Sequence, residues 1–66
     1  MAVIKVVEIM SDSKKSWEDA TARAVVRMGK TVKNIKSAYV QSQSVVVTKN
    51  KVSSYRVSLK ISFEVK

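Results

Sequence analysis

The sequence predicts an α+β subunit in which a three-stranded antiparallel sheet wraps one helix, in the order strand, helix, strand, strand. Three observations predict it. Apolar and polar residues alternate without a break from Tyr55 to Val65. Trp17, Ala20, Ala24, Met28 and Val32 recur at three- and four-residue spacing. Lys49-Asn50-Lys51 then separates two long segments rich in β-branched residues. A period of two marks a strand with one buried face, and a period near 3.6 marks an amphipathic helix. At 66 residues, the chain is expected to form a single domain over residues 1–66.

The elements follow in order. Ala2–Met10 (AVIKVVEIM) reads as a first strand, because β-branched residues suit a pleated surface. Ser11–Lys15 (SDSKK) is polar and reads as a turn. Ser16 is placed as the N-cap of the helix, and Asp19 stands three residues on in a weak capping box. Glu18 and Asp19 suit the positive end of the helix dipole, as Lys30 and Lys33 suit the negative end. Gly29, the single glycine, marks the last turn or the exit.

Asn34–Thr48 reads as the second strand. Its alternation falters around Gln41–Ser44, which predicts a bulge or a functional surface there. Lys49–Lys51 is the hairpin turn, with Asn50 able to take a positive φ. Val52–Lys66 is the third strand. Tyr55, Val57, Leu59, Ile61, Phe63 and Val65 face one way, and Arg56, Ser58, Lys60, Ser62 and Glu64 the other. Eleven alternating residues reach about 37 Å, roughly twice an ordinary strand.

A chain this short has little material to cover so long a face. Small domains usually add disulfides, a metal or partner copies. There is no cysteine or histidine, which excludes a disulfide frame and argues against structural zinc. A homo-oligomer is therefore expected. No apolar run is long enough to span a membrane. Residues Met1–Met10 lack a leader pattern, so a cytoplasmic location is expected.

Thirteen Lys and Arg stand against five acids, giving a net charge of +8. This balance suits a nucleic acid, an anionic surface or a small anionic ligand. The bases are spread along the chain, and only Lys14-Lys15 are adjacent. No aromatic stacking platform interleaves with them, which argues against nucleic acid. Without His or Cys, no serine has the partners of a nucleophile, and one glycine makes no phosphate loop. No catalytic residues are identified, so a non-enzymatic protein is expected.

The order of elements and several strings resemble the dodecin family. VIKVVEI resembles its first strand, SWEDATARAVVRMGKTVKNI its helix and exit, and SAYVQSQSVVV and SSYRVSLKISFEV its two long strands. The resemblance implies a hollow dodecamer of strand-helix-strand-strand subunits that binds a small ligand. It also implies flavin positions, for riboflavin or FMN. The family's stacking tryptophan falls at Ser37, and its ring-edge glutamine at Arg56. Serine offers no π face, and guanidinium donates hydrogen bonds without accepting them. The flavin site therefore reads as degenerate, with Tyr39 as the candidate replacement ring. Arg56 would suit an anionic group.

Ser16-Trp17-Glu18 and Tyr55-Arg56 look closer to the calcium branch of the family, which lacks the stacking tryptophan. Calcium takes six to eight oxygen ligands. The chain offers only Glu8, Asp12, Glu18, Asp19 and Glu64, dispersed along it, so no metal ligands are assigned. Glu18 and Asp19 read as helix-end charges, and Glu64 as a cross-strand partner for Lys or Arg. The expected function is a shell that binds, stores or buffers a small ligand. A flavin shell with another stacking group, a calcium shell and a polyanion binder are the alternatives.

Overall fold

In a computed structural model that describes residues 2–66, with Met1 outside them, the chain runs β1 (Val3–Ser13), α1 (Trp17–Met28), β2 (Ile35–Thr48) and β3 (Lys51–Val65). The sheet order is β1-β3-β2, and both neighbours of β3 are antiparallel to it. The strand with the cleanest alternation thus takes the centre. There it has hydrogen-bonding partners on both edges, and the middle of one face, Val57, Leu59 and Ile61, is buried in the core.

That stretch is the centre of the core. Val57, Leu59 and Ile61 are fully buried and pack with Ala20 and Ala24 of α1. The two alanines let the helix backbone come close to the sheet. Val7, Ile9, Trp17, Met28, Ile35 and Ala38 close around this centre. At ~1.5–3 kcal/mol for each large aliphatic side chain fully buried, the three β3 residues are the main local source of stability.

The helix starts where its cap requires. Ser16 is extended, and its hydroxyl accepts the Asp19 N–H at 2.9 Å. Gly29 closes the helix with an ordinary right-handed φ of −63° and donates its N–H to the Val25 carbonyl. Val32 lies beyond the helix, in a turn held by its N–H to the Met28 carbonyl.

Several boundaries differ from the sequence reading, and three have a clear local cause. β1 continues through Ser11, Asp12 and Ser13, which had read as turn. Each finds a polar partner that keeps it in the ladder. Ser11 Oγ donates to the Ala20 carbonyl at 2.8 Å, Ser13 Oγ to Asp19 Oδ2 at 2.6 Å, and Asp12 accepts from Arg56. β2 starts one residue late because Asn34 takes a φ of +64°. The hairpin turn is only Lys49-Asn50, both at positive φ, so Lys51 already pairs with Thr48. The irregularity expected in mid-β2 is present as a register shift between Val40 and Ser42, with others after Ile35 and Val46.

Candidate functional site: the outer face of the sheet

The face of the sheet turned away from α1 carries Ser37, Tyr39 and Arg56, the ligand positions expected from the sequence. Directly paired residues share a face. Arg56 lies between Asp12 on β1 and Ser44 on β2, Lys60 between Glu8 and Tyr39, and Ser62 between Val6 and Ser37. Ser37 and Tyr39 therefore share a side. Tyr39 is 65% exposed, with its ring free of the core.

Each candidate has a definite environment. The Ser37 hydroxyl is hydrogen-bonded to the Ser62 hydroxyl across the strands. The Arg56 guanidinium grips Asp12 with two bonds, Nε to Oδ1 at 2.7 Å and Nη2 to Oδ2 at 3.0 Å. That grip holds the Asp12 carboxyl below the usual carboxylate range and raises the Arg56 pKa, in both cases chiefly through the hydrogen bond. The bidentate fork that would suit a ligand's phosphate or carboxylate is thus engaged within the subunit. Ser37 and Arg56 are also far apart. Six residues of β3 separate Ser62, the partner of Ser37, from Arg56, a distance of about 20 Å. One subunit does not bring the two positions into a single site.

The carboxylates are dispersed in the same way. Glu8 faces Lys60 at 3.8 Å, Glu64 faces Lys36 at 3.7 Å, and Asp19 faces Arg23 at 2.6 Å. Hydrogen bonds from Ser13, and then Arg23, hold Asp19 below the ordinary carboxylate range. Among the described residues no group of three or more His, Cys, Asp or Glu is placed to hold a metal. The donor set of one subunit therefore does not fit calcium.

A hollow of about 670 Å³ lies between α1 and the free edge of β1, with Ile9, Met10, Val26 and Met28 along it and Arg27 and Lys30 among its lining residues. These two cations have no ion-pair partner among the described residues. The sequence signal was Val26, an apolar residue off the helix stripe that stays 65% exposed.

At the other end of the helix, Trp17 acts as a strut. Its indole Nε1–H donates to the Ser44 carbonyl at 2.9 Å, and its ring meets Tyr55 edge-on with centroids 5.2 Å apart. It is a packing residue at the head of the helix stripe and stands away from Ser37. Among the described residues no helix is long and apolar enough to cross a membrane.

The chain is thus a small β-α-β-β subunit with a helix over one face of its sheet and a polar, ion-paired face opposite. The sequence pattern of the Dodecin family matches residues 3–66, and the chain belongs to that family. A calcium dodecin of Mycobacterium tuberculosis is 38% identical over all of this chain and 93% of its own length. The crystal structure of that bacterium's calcium dodecin, described as calcium-chelating with a novel calcium-binding site, matches with a TM-score of 0.87 at 38% identity, over 97% of this chain and 91% of that one. A Thermus thermophilus dodecin matches with a TM-score of 0.92 at 26% identity, over 100% and 98%. A Streptomyces coelicolor dodecin shares the fold, with a TM-score of 0.93 at 22% identity, over 98% and 93%.

Proposed function

We propose that this protein is a non-enzymatic, cytoplasmic shell of twelve identical subunits that binds and buffers a small ligand, and that flavin stacking has been lost from it. The observation that carries the reading is the state of the two family positions. Ser37 is engaged with Ser62, and Arg56 is engaged with Asp12. A flavin would find no ring at the first position and no hydrogen-bond acceptor at the second. Stacking on an aromatic ring is worth about 1–3 kcal/mol per base in nucleic-acid complexes, and a missing ring forfeits a term of that order.

Titration of riboflavin and FMN, read by flavin fluorescence quenching, tests this. Binding weaker than micromolar is expected for the wild type, with quenching restored by Ser37→Trp combined with Arg56→Gln. Micromolar or tighter quenching by the unaltered protein overturns the reading. Loss of that quenching in Tyr39→Ala would then assign the stacking role to Tyr39.

Calcium is the second reading. It is favoured by the relative named calcium dodecin, which matches this chain over its full length. Four of the five carboxylates already face cations within the subunit, so calcium binding would have to draw ligands from more than one copy. Calorimetry after treatment with a chelator separates the readings. Saturable calcium uptake at a fixed ratio to subunits supports calcium, and a flat titration removes it.

A further inference from the structure

We infer that the hollow between α1 and the free edge of β1 binds an amphipathic anion, a carboxylate or phosphate carried on an unbranched aliphatic tail. The inference rests on the small-ligand reading above and gives that ligand a class and a place. None of Ser37, Tyr39 and Arg56 lines the hollow.

The hollow is apolar along its length and basic at one end. Ser13 Oγ bonds Asp19 and Ser11 Oγ bonds the Ala20 carbonyl, so α1 runs back along β1. Asp12 therefore lies near the start of α1, and Arg27 and Lys30 lie at its far end. Between them the wall is made by Ile9, Met10, Ala22, Val26 and Met28. Met10 is 63% exposed and Val26 65%. Single exposed apolar residues are ordinary, whereas two on opposite walls of one concavity with a polar rim mark a binding surface. Ser11, the wall's one hydroxyl, already donates to Ala20. The side chains between the two ends thus offer a tail contact without hydrogen bonds.

The charges fix the orientation. Asp12 is held by Arg56, and Arg23 by Asp19. Arg27 and Lys30 are exposed and have no ion-pair partner among the described residues. They stand three residues apart, which makes them neighbours on one side of the helix end. The turn that continues α1 keeps them there, with the Lys30 N–H on the Arg27 carbonyl at 3.2 Å. Two like charges so close repel, and one anion shared between them relieves the repulsion. The helix end itself is partly negative, so an anion there depends on these two side chains. The acid at the opposite end turns the headgroup away from it.

The size sets the tail. The volume of about 670 Å³ falls in the range of about 300–1,000 Å³ for small-molecule sites. From Ala22 to Lys30 the helical rise is about 12 Å. An extended chain covers about 3.5 Å for every three bonds, so a tail of about ten carbons fills the hollow from the cations to the Asp12 end.

Decanoate and decyl phosphate test the site, titrated by calorimetry below their micelle concentrations against the assembled protein. Saturable binding is expected, strengthening about fourfold for each methylene added between hexanoate and decanoate. Whichever head binds tighter names the anionic group. Arg27→Gln with Lys30→Gln is expected to weaken binding about two- to thirtyfold and to remove its salt dependence. Equal affinity in that variant, binding that does not saturate, or equally tight binding of neutral decyl glucoside overturns the site. Isotope-labelled methionine methyls, read by NMR on the wild type, decide the matter should the variant fail to assemble. The Met10 and Met28 signals are expected to shift with decanoate. No shift at either, whether because decanoate does not bind or because a second copy covers the hollow, overturns the site. The shell reading then still stands or falls by the flavin and calcium titrations.

Discussion

The two faces of β3 are made from alternate residues of one strand and are held by different physics. On the inner face Val57, Leu59 and Ile61 are fully buried beneath Ala20 and Ala24. On the outer face Arg56, Lys60 and Glu64 stay in ion pairs with Asp12, Glu8 and Lys36 at 2.7–3.8 Å, the first two pairs open to solvent and Glu64 half-buried. Burial of aliphatic surface is large and tolerates little change in volume. Exposed ion pairs contribute little and are screened by salt. The inner face therefore specifies the fold, and the outer face can change its chemistry while the fold stays. Ser37 and Arg56 stand on the face that is free to change.

The strongest way to break this contrast is to place a charge on the wrong side. Leu59→Asp puts a carboxylate at a site with no solvent access, with no cation to pair it. Loss of the folded state is expected, because an unpaired buried charge is strongly destabilising. Leu59→Ala grades the same position, with a loss of about 2–5 kcal/mol expected from the transfer and cavity costs. Chemical denaturation at fixed subunit concentration measures both, since assembly makes apparent stability concentration-dependent. A folded Leu59→Asp protein with wild-type stability would falsify the placement of the core.

The inner face was legible because its signal is periodic. The β3 alternation and the helix stripe each state which residues share a face, and Ala20 and Ala24 were on that stripe. The cap at Ser16 was legible because it depends on neighbours in sequence. The end of β1 was not. Ser11 and Ser13 look like turn residues until α1 is in place to accept their hydroxyl hydrogens. The gap between Ser37 and Arg56 was hidden for a similar reason. Their separation is set by the register of β2 on β3, and strand patterning gives faces without giving register. Val47 and Val52, exposed beside the hairpin turn, read as ordinary strand, because a pattern shows which way a side chain points and is silent on what covers it.

A smaller effect sharpens the comparison at the helix entrance, which is half-buried and belongs to neither face. Ser16→Ala removes the hydroxyl that accepts the Asp19 N–H. A loss of about 1 kcal/mol is expected, within the range for N-cap substitutions. It should be well below Leu59→Ala in the same denaturation experiment. Ser16→Gly should recover most of it, because glycine is only a few tenths of a kcal/mol worse than serine at a cap. Equal losses for Ala and Gly would place the effect in packing instead of capping.

The smallest effect is on the outer face, and pH isolates it. The Asp12 carboxyl is held low by its hydrogen bond from Arg56, so its native pKa lies below its unfolded one. A lowered native pKa means the carboxylate's contribution is fully present above the unfolded value, near ~4. It is lost as pH falls from there through the native value, where protonation releases the arginine. Asp19, held low by Ser13 and Arg23, adds a second contribution with the same sign. Asp12→Asn removes the first and leaves the second. The variant should therefore be slightly less stable than the wild type above about pH 5, and the two denaturation midpoints should converge as the pH approaches 2. Added salt should narrow the gap at neutral pH, as expected of an exposed pair. Midpoints that run parallel across the whole range would show that Arg56 does not hold Asp12 in solution. Its guanidinium would then be free for an anion, and the outer face would regain the ligand position that the ion pair now occupies.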